Sequence, residues 1–215
     1  MIPTRLMRRF KTVKKGLLIV ISGPSGSGKG TVIKRIMEYD RSFIYSVSAT
    51  TRAPRVGEKH GVNYYFIDRA DFEARIAADM MLEHAEYCGN YYGTPKKEVT
   101  ENLEAGHNVI LEIEVEGAMQ IKKKCPDALL VMIAPPDFET LEARLRGRGD
   151  DVAEDVIQNR LATAKKELNK LHEYDYIVVN GDNMIDEAAH DIMDIVYAET
   201  HRVSRNNDFT SKFFA

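Results

Sequence analysis

The residues with the clearest chemistry run Gly23-Pro24-Ser25-Gly26-Ser27-Gly28-Lys29-Gly30-Thr31. Their spacing, G-x-x-x-x-G-K, is that of a phosphate-cradling loop. Glycines let successive backbone N–H groups turn toward one centre. A helix starting near Lys29 adds its positive N-terminal end, and the Lys29 ammonium reaches the β- and γ-phosphates of a nucleoside triphosphate. Gly30 stands where Ser or Thr is usual, so Thr31 or water must serve Mg²⁺. A second set of residues comes next, Ser48-Ala-Thr-Thr-Arg52-Ala-Pro-Arg55, then Gly57-Glu58 and Gly61-Val-Asn-Tyr64. Two arginine forks beside hydroxyl groups suit a second oxyanion. Taken alone, the arginines are equally well explained as surface groups of a turn.

The elements needed to hold these residues can be read around them. LLIVIS at 17–22 is a short apolar run ahead of the loop, and Thr31–Tyr39 carries helical spacing in Val32, Ile33, Ile36 and Met37. Strand, loop and helix is the context such a loop requires. Further apolar runs, NVILEI at 108–113, ALLVMIA at 128–134 and YIVVN at 176–180, predict strands buried on both faces. Helical patterns lie at Phe138–Arg146, Asp155–Leu171 and Met184–Ala198. Alternating strand and helix predicts an α/β fold, a parallel sheet core flanked by helices. The stretch 43–92 breaks this rhythm with six tyrosines and three glycines, and predicts a small, mostly antiparallel insertion.

The expected layout is a basic extension at 1–15, one domain at 16–202 and a polar tail at 203–215. Within the domain, the core takes 16–42, 97–136 and 155–202, the insertion 43–96, and a helical lid 137–154. The chain of 215 residues is 44% apolar with a net charge of −3, so no global basic field draws it to nucleic acid or to lipid. No run approaches the roughly 18 apolar residues of a membrane span. Cys88 and Cys125 have neither metal-ligand spacing nor the density of a disulfide framework, which points to reduced thiols in a cytoplasm. The acid-free stretch Met1–Lys15 is expected to be a frayed extension, with a targeting segment or a weak anion contact as the alternatives.

Taken together, Gly23-Pro-Ser-Gly-x-Gly-Lys29, Ser48-x-Thr-Thr-Arg52-x-Pro-Arg55, Gly89-Asn-Tyr-Tyr-Gly-Thr94, Leu111-Glu-Ile-Glu-Val-Glu-Gly117 and the Arg-rich run from Arg144 to Arg148 resemble the guanylate kinase family. The likeness covers about Lys15 to Glu199 and implies phosphoryl transfer from ATP to GMP with Mg²⁺ as cofactor. It also implies that the insertion binds GMP. Ser48, Arg52, Arg55, Tyr64 and Tyr92 would hold the GMP phosphate, and Glu83 and Thr94 the guanine. A carboxylate matches the adjacent N1–H and N2–H₂ donors of guanine, and the Thr94 hydroxyl can donate to O6. Such a site can reject the wrong base by on the order of 10⁴. Outside this likeness, Glu83 in MLEHAE reads as a solvated helix residue.

Glu112 and Glu114 stand at a strand end, where ligands sit in parallel sheets. They are expected to point apart, Glu112 to GMP and Glu114 to Mg²⁺ through water. Glu114 departs from the Asp usual in the family, and Glu116 from a common Gln. Arg144, Arg148 and Arg160 would close a lid over the ATP phosphates, with Arg148 and Arg160 assisting transfer, while Arg146 reads as an ordinary helix charge. Arg160 lies one residue further from Arg148 than the family spacing. Asn180 resembles an adenine-side contact. Non-catalytic modules share this fold but usually lose the loop lysine or lid arginines. Lys29, Arg148 and the short single-domain chain therefore favour an enzyme, with a kinase of another monophosphate as the lesser alternative. Nothing in the sequence decides between a monomer and a homo-oligomer.

Overall fold

The computed structural model describes residues 15–87, 89–147 and 153–214. Five strands form a parallel sheet in the order β2-β7-β1-β8-β9: β2 (Phe43–Tyr45), β7 (Asn108–Glu112), β1 (Leu18–Ser22), β8 (Leu129–Ala134) and β9 (Tyr176–Val179). Period-two alternation sorts their side chains between two cores. Ile19, Ile21, Ile110, Val131 and Ile133 pack on one face against α1 (Lys29–Tyr39) and α7 (Ile185–Thr200). Leu18, Val20, Val109, Leu111 and Leu130 pack on the other against α3 (Lys96–Glu104) and α4 (Val115–Lys124). Both faces are covered over β7, β1 and β8, which is why these strands read as unbroken apolar runs. At the edge strand β9, Ile177 and Val179 stay about half exposed, so the expected burial of that strand on both faces is corrected.

The insertion is a second sheet in the order β4-β3-β6-β5, from β4 (Tyr65–Phe66), β3 (Ala49–Thr50), β6 (Asn90–Pro95) and β5 (Met81–Tyr87). Its pairings with β6 are antiparallel and its β3–β4 pairing is parallel, so the sheet is mixed. A small core of Ala49, Phe72 and Met81 fixes it beneath α2 (Arg69–Ala77). Phe43–Tyr45 belongs to the parallel sheet rather than to this one, because it pairs with β7 through Phe43–Asn108 and Ile44–Val109. A three-residue apolar run cannot be told from the tyrosine-rich stretch after it by pattern alone.

Two further helices, α5 (Phe138–Arg146) and α6 (Glu154–Leu168), share a core of Leu141, Leu145, Ile157, Leu161 and Ala164. Asp137 caps α5 by accepting from the Thr140 N–H at 2.7 Å. A short helix, α8 (Phe209–Phe213), ends the described chain. No helix among the described residues is long and apolar enough to cross a membrane.

Candidate active site

The phosphate loop leaves the carboxyl end of β1, the central strand, and ends at the N-terminus of α1. Gly28 caps that helix in the left-handed region at φ +86°, and a Cβ there would lie 2.4 Å from Asn180 Nδ2. Only glycine meets both demands. Asn180, 4% exposed just beyond β9, donates from Nδ2 to the Ser27 carbonyl at 2.8 Å and so ties the loop to the sheet edge. Its Oδ1 is buried without a hydrogen-bond partner among the described residues. Beside it opens a cleft of about 250 Å³ bordered by Gly28, Thr31, Arg144, Asn180, Asp182 and Ile185. Arg144 donates to the Asn180 carbonyl at 3.0 Å and to Asp182 at 2.7 Å. Lys29 donates to the carbonyls of Gly23 and Pro24, holding its ammonium within the loop.

Across the carboxyl end of β7 lies Glu112. It accepts from the Tyr45 hydroxyl at 3.3 Å, and its oxygens lie 3.6 Å from where a Cβ on Gly30 would stand. Burial pushes its carboxyl up, while Lys29 and Tyr45 pull it down and Glu114 pushes it up again. The expectation that Glu112 and Glu114 point apart is therefore corrected. The Glu114 charge bears on Glu112 close to Lys29, so the two carboxylates do not serve separate places. Glu114 is also no longer in the strand but is the residue preceding α4, with ψ 161°.

A third carboxylate joins them. Glu167 of α6 is pushed upward by burial and then by the neighbouring Glu114 carboxylate, with Lys29 opposing. No sequence signal marked Glu167, which sits in a long helix rich in charge.

Arg52 is the centre of the other half. Its guanidinium clasps Glu58 through Nη1–Oε2 at 3.0 Å and Nη2–Oε1 at 2.9 Å, and it lies 5.6 Å from the ring centre of Tyr64 and 5.8 Å from that of Phe66. Glu58 also accepts from the Arg55 N–H at 2.7 Å, so one carboxylate shapes the turn carrying both arginines. The Arg55 side chain itself is exposed. Tyr64 meets Tyr92 edge to face at 6.0 Å, and burial pushes its hydroxyl upward with Tyr92 and Glu112 adding to the shift. Ser48 is half-buried just ahead of β3. Arg52, Tyr64, Tyr92 and Glu112 are thus brought together, and Glu112 faces both this cluster and Lys29.

Glu83 lies not in a helix but in β5, where it is 4% exposed and paired in register with Thr94 of β6. The Thr94 hydroxyl donates to Glu83 Oε1 at 2.7 Å. Burial pushes the Glu83 carboxyl upward, opposed by Thr94 and by Lys124. Here the Thr94 proton serves Glu83, so donation to a guanine O6 requires the hydroxyl to turn.

On the lid side, Arg146 is committed to Glu142 and Glu154, in keeping with an ordinary helix charge. Arg160 lies half-buried on α6. Arg148 falls outside the described residues.

Comparison with known proteins agrees with this architecture. The family model described as guanylate kinase matches residues 15–199. A guanylate kinase of Lactococcus lactis is 53% identical over 192 residues, covering 89% of this chain and 92% of that protein. One from Clostridium perfringens is 48% identical over 200 residues, 93% of this chain and 91% of its own. The crystal structure of guanylate kinase from Anaplasma phagocytophilum matches with a TM-score of 0.72 at 34% identity, covering 89% of this chain and 90% of that one. On the strength of a family model that spans most of its length, the chain belongs to the guanylate kinase family.

Proposed function

We propose a division of labour among these residues for the guanylate kinase reaction, in which ATP and GMP give ADP and GDP. ATP lies along Gly23–Thr31, with its adenine in the cleft beside Asn180. The unpartnered Oδ1 there is an acceptor suited to the adenine 6-amino group. Lys29 leaves the loop carbonyls for the β- and γ-phosphates, and Arg144, Arg148 and Arg160 approach from the lid side. GMP places its phosphate on Arg52, Arg55, Ser48, Tyr64 and Tyr92. Its base meets Glu83 and Thr94, and Glu112 contacts GMP where the two halves join.

A GMP phosphate oxygen then attacks the γ-phosphorus while the bond from that phosphorus to the β,γ-bridging oxygen breaks, and the electron pair leaves with ADP. A phosphate monoester is largely dianionic at neutral pH, its second pKa being about 6. It needs no general base, and the work of the protein is alignment and charge. Arg52 lowers the repulsion between the two anions. A closed lid keeps water from intercepting the γ-phosphoryl group.

Mg²⁺ suits the donor side. Glu112 and Glu114 are mutually repelling carboxylates beside the phosphate loop, a strain that a cation relieves. Thr31 and Glu114 would hold the ion, Glu114 through water, and it would supply neutralisation of the ATP phosphates. The core, acceptor insertion and lid remain the functional divisions in this reading, with β2 counted in the core. A cytoplasmic setting goes with substrates of this kind.

The observation that carries the reading is the buried Glu83–Thr94 pair, an acceptor and a hydroxyl set side by side at the acceptor end of the site. Glu83→Gln tests it. Gln must turn one N–H toward guanine, leaving a donor unpaired at about 1–3 kcal/mol. That is roughly a 5- to 150-fold loss in kcat/KM for GMP. AMP, with N1 as an acceptor beside its 6-amino donor, suits an amide and should gain relative to GMP. An unchanged GMP:AMP ratio would put the base-reading group elsewhere.

A further inference from the structure

Gly117 is buried in the first turn of α4, and the reaction as described gives it no task. Its φ lies outside the left-handed region, so the backbone does not demand glycine. Alanine is the better helix former, and something other than conformation must account for the residue.

The space around it supplies the reason. A Cβ on Gly117 would stand 2.6 Å from Glu83 Oε2 and 3.2 Å from Glu83 Cδ. The carboxylate fills the place a side chain would take. Its other oxygen, Oε1, is held by Thr94 at 2.7 Å.

The same face of α4 grips the strand that carries Glu83. One turn along, the Gln120 amide accepts from the His84 N–H at 3.2 Å and donates to the His84 carbonyl at 2.8 Å. A turn further, Lys124 donates to the Met81 carbonyl at 3.2 Å. Positions 117, 120 and 124 form one helical stripe, and each acts on residues 81 to 84 of β5.

We propose that Gly117 and Gln120 are specificity-determining positioning residues: the bare Cα of Gly117 sets how far back the Glu83 carboxylate sits, and Gln120 fixes the strand beneath it. This rests on the reading of Glu83 as the guanine acceptor. A methyl group at 117 displaces only the end of a side chain, so the fold tolerates it. The displaced carboxylate no longer meets both guanine donors, and a misplacement of about 1 Å can cost on the order of 10²-fold in rate.

The test compares wild type with Gly117→Ala, Glu83→Asp, Glu83→Gln and the double variant Glu83→Asp/Gly117→Ala. The readouts are kcat and KM for GMP, AMP and ATP, and thermal melting. Gly117→Ala should melt like wild type, keep its ATP KM, lose about 10- to 100-fold in kcat/KM for GMP and narrow the GMP:AMP preference. In the Glu83→Asp background the shorter side chain clears the methyl group, so adding Gly117→Ala should cost little more. Full additivity of the two changes overturns the proposal. So does a wild-type GMP:AMP ratio in Gly117→Ala when Glu83→Gln has lost it. A wild-type ratio in Glu83→Gln itself removes the guanine reading on which the proposal stands. Gln120→Leu gives a second arm that does not load the 117 position. A GMP KM raised several-fold at constant ATP KM supports the clamp, and an unchanged GMP KM overturns it.

Discussion

In the proposed reading, Glu83 combines burial with a task that needs its charge. Burial pushes its pKa up, and the ionised form is the one guanine requires. A raised pKa means the proton returns at a higher pH than for an ordinary glutamate, so GMP use should weaken sooner on the acid side. The GMP phosphate titrates as well, at about pH 6, and the comparison with Glu83→Gln removes that contribution. The wild-type advantage in kcat/KM over the mutant should shrink as pH falls and Glu83 takes up its proton, and parallel profiles would contradict this. The sign for stability comes from linkage. With the folded pKa above the unfolded one, the contribution of Glu83 is fully present below the unfolded pKa and is lost as pH rises through the folded pKa. Glu83→Gln should therefore gain on wild type in the upper part of that window, as melts across pH would show. Arg55 poses a simpler case. Its side chain is exposed and open to a phosphate, so Arg55→Ala should raise GMP KM by about 10- to 150-fold, the equivalent of 1.5–3 kcal/mol for a charged hydrogen bond. An unchanged GMP KM would move the phosphate site. Arg52 and Arg55 are legible in the sequence because their spacing is a motif. Glu58 is not, since a glutamate after Gly57 looks like any solvated turn residue until its two bonds to Arg52 are seen.

At the level of elements, legibility depends on the number of buried faces. The strands around the phosphate loop are covered on both sides and show as apolar runs, and the loop motif marks where α1 begins. β5 does not show. Met81 enters the insertion core, Leu82 enters the main core, and Glu83 is buried for chemistry rather than packing, so neither period survives in MLEHAE. Glu114 misled for a related reason, since the strand stops at Glu112 and hands over to α4. The β1–loop–α1 unit carries its own prediction. Among the described residues the hydrogen bonds of Lys29 go to loop carbonyls, so Lys29→Ala takes no hydrogen bond from the core. It should lower kcat by about 10²-fold or more while the protein melts like wild type, as loss of a charge stabilising a transition state does. Near-normal kcat would show that this loop is not the donor site.

Across the whole molecule, packing is divided into the two faces of the main sheet, the small core of the insertion and the small core of α5 and α6. The Gly23–Thr31 loop belongs to the first of these units and the Glu83–Thr94 pair to the insertion. Glu112 bears on Lys29 from one side and on Tyr45 and Tyr64 from the other, at the seam. That arrangement is invisible in sequence, where the contributing residues are spread from Lys29 to Glu112. The proposed triphosphate site and guanine-reading monophosphate site, meeting at this seam, make one firm demand on turnover. It is checked by a coupled assay of ADP release from ATP and Mg²⁺, run side by side with GMP, AMP, CMP and UMP. GMP should be turned over with a kcat/KM on the order of 10⁴ above AMP. Equal or better turnover of AMP, or none with any of the four, would contradict it.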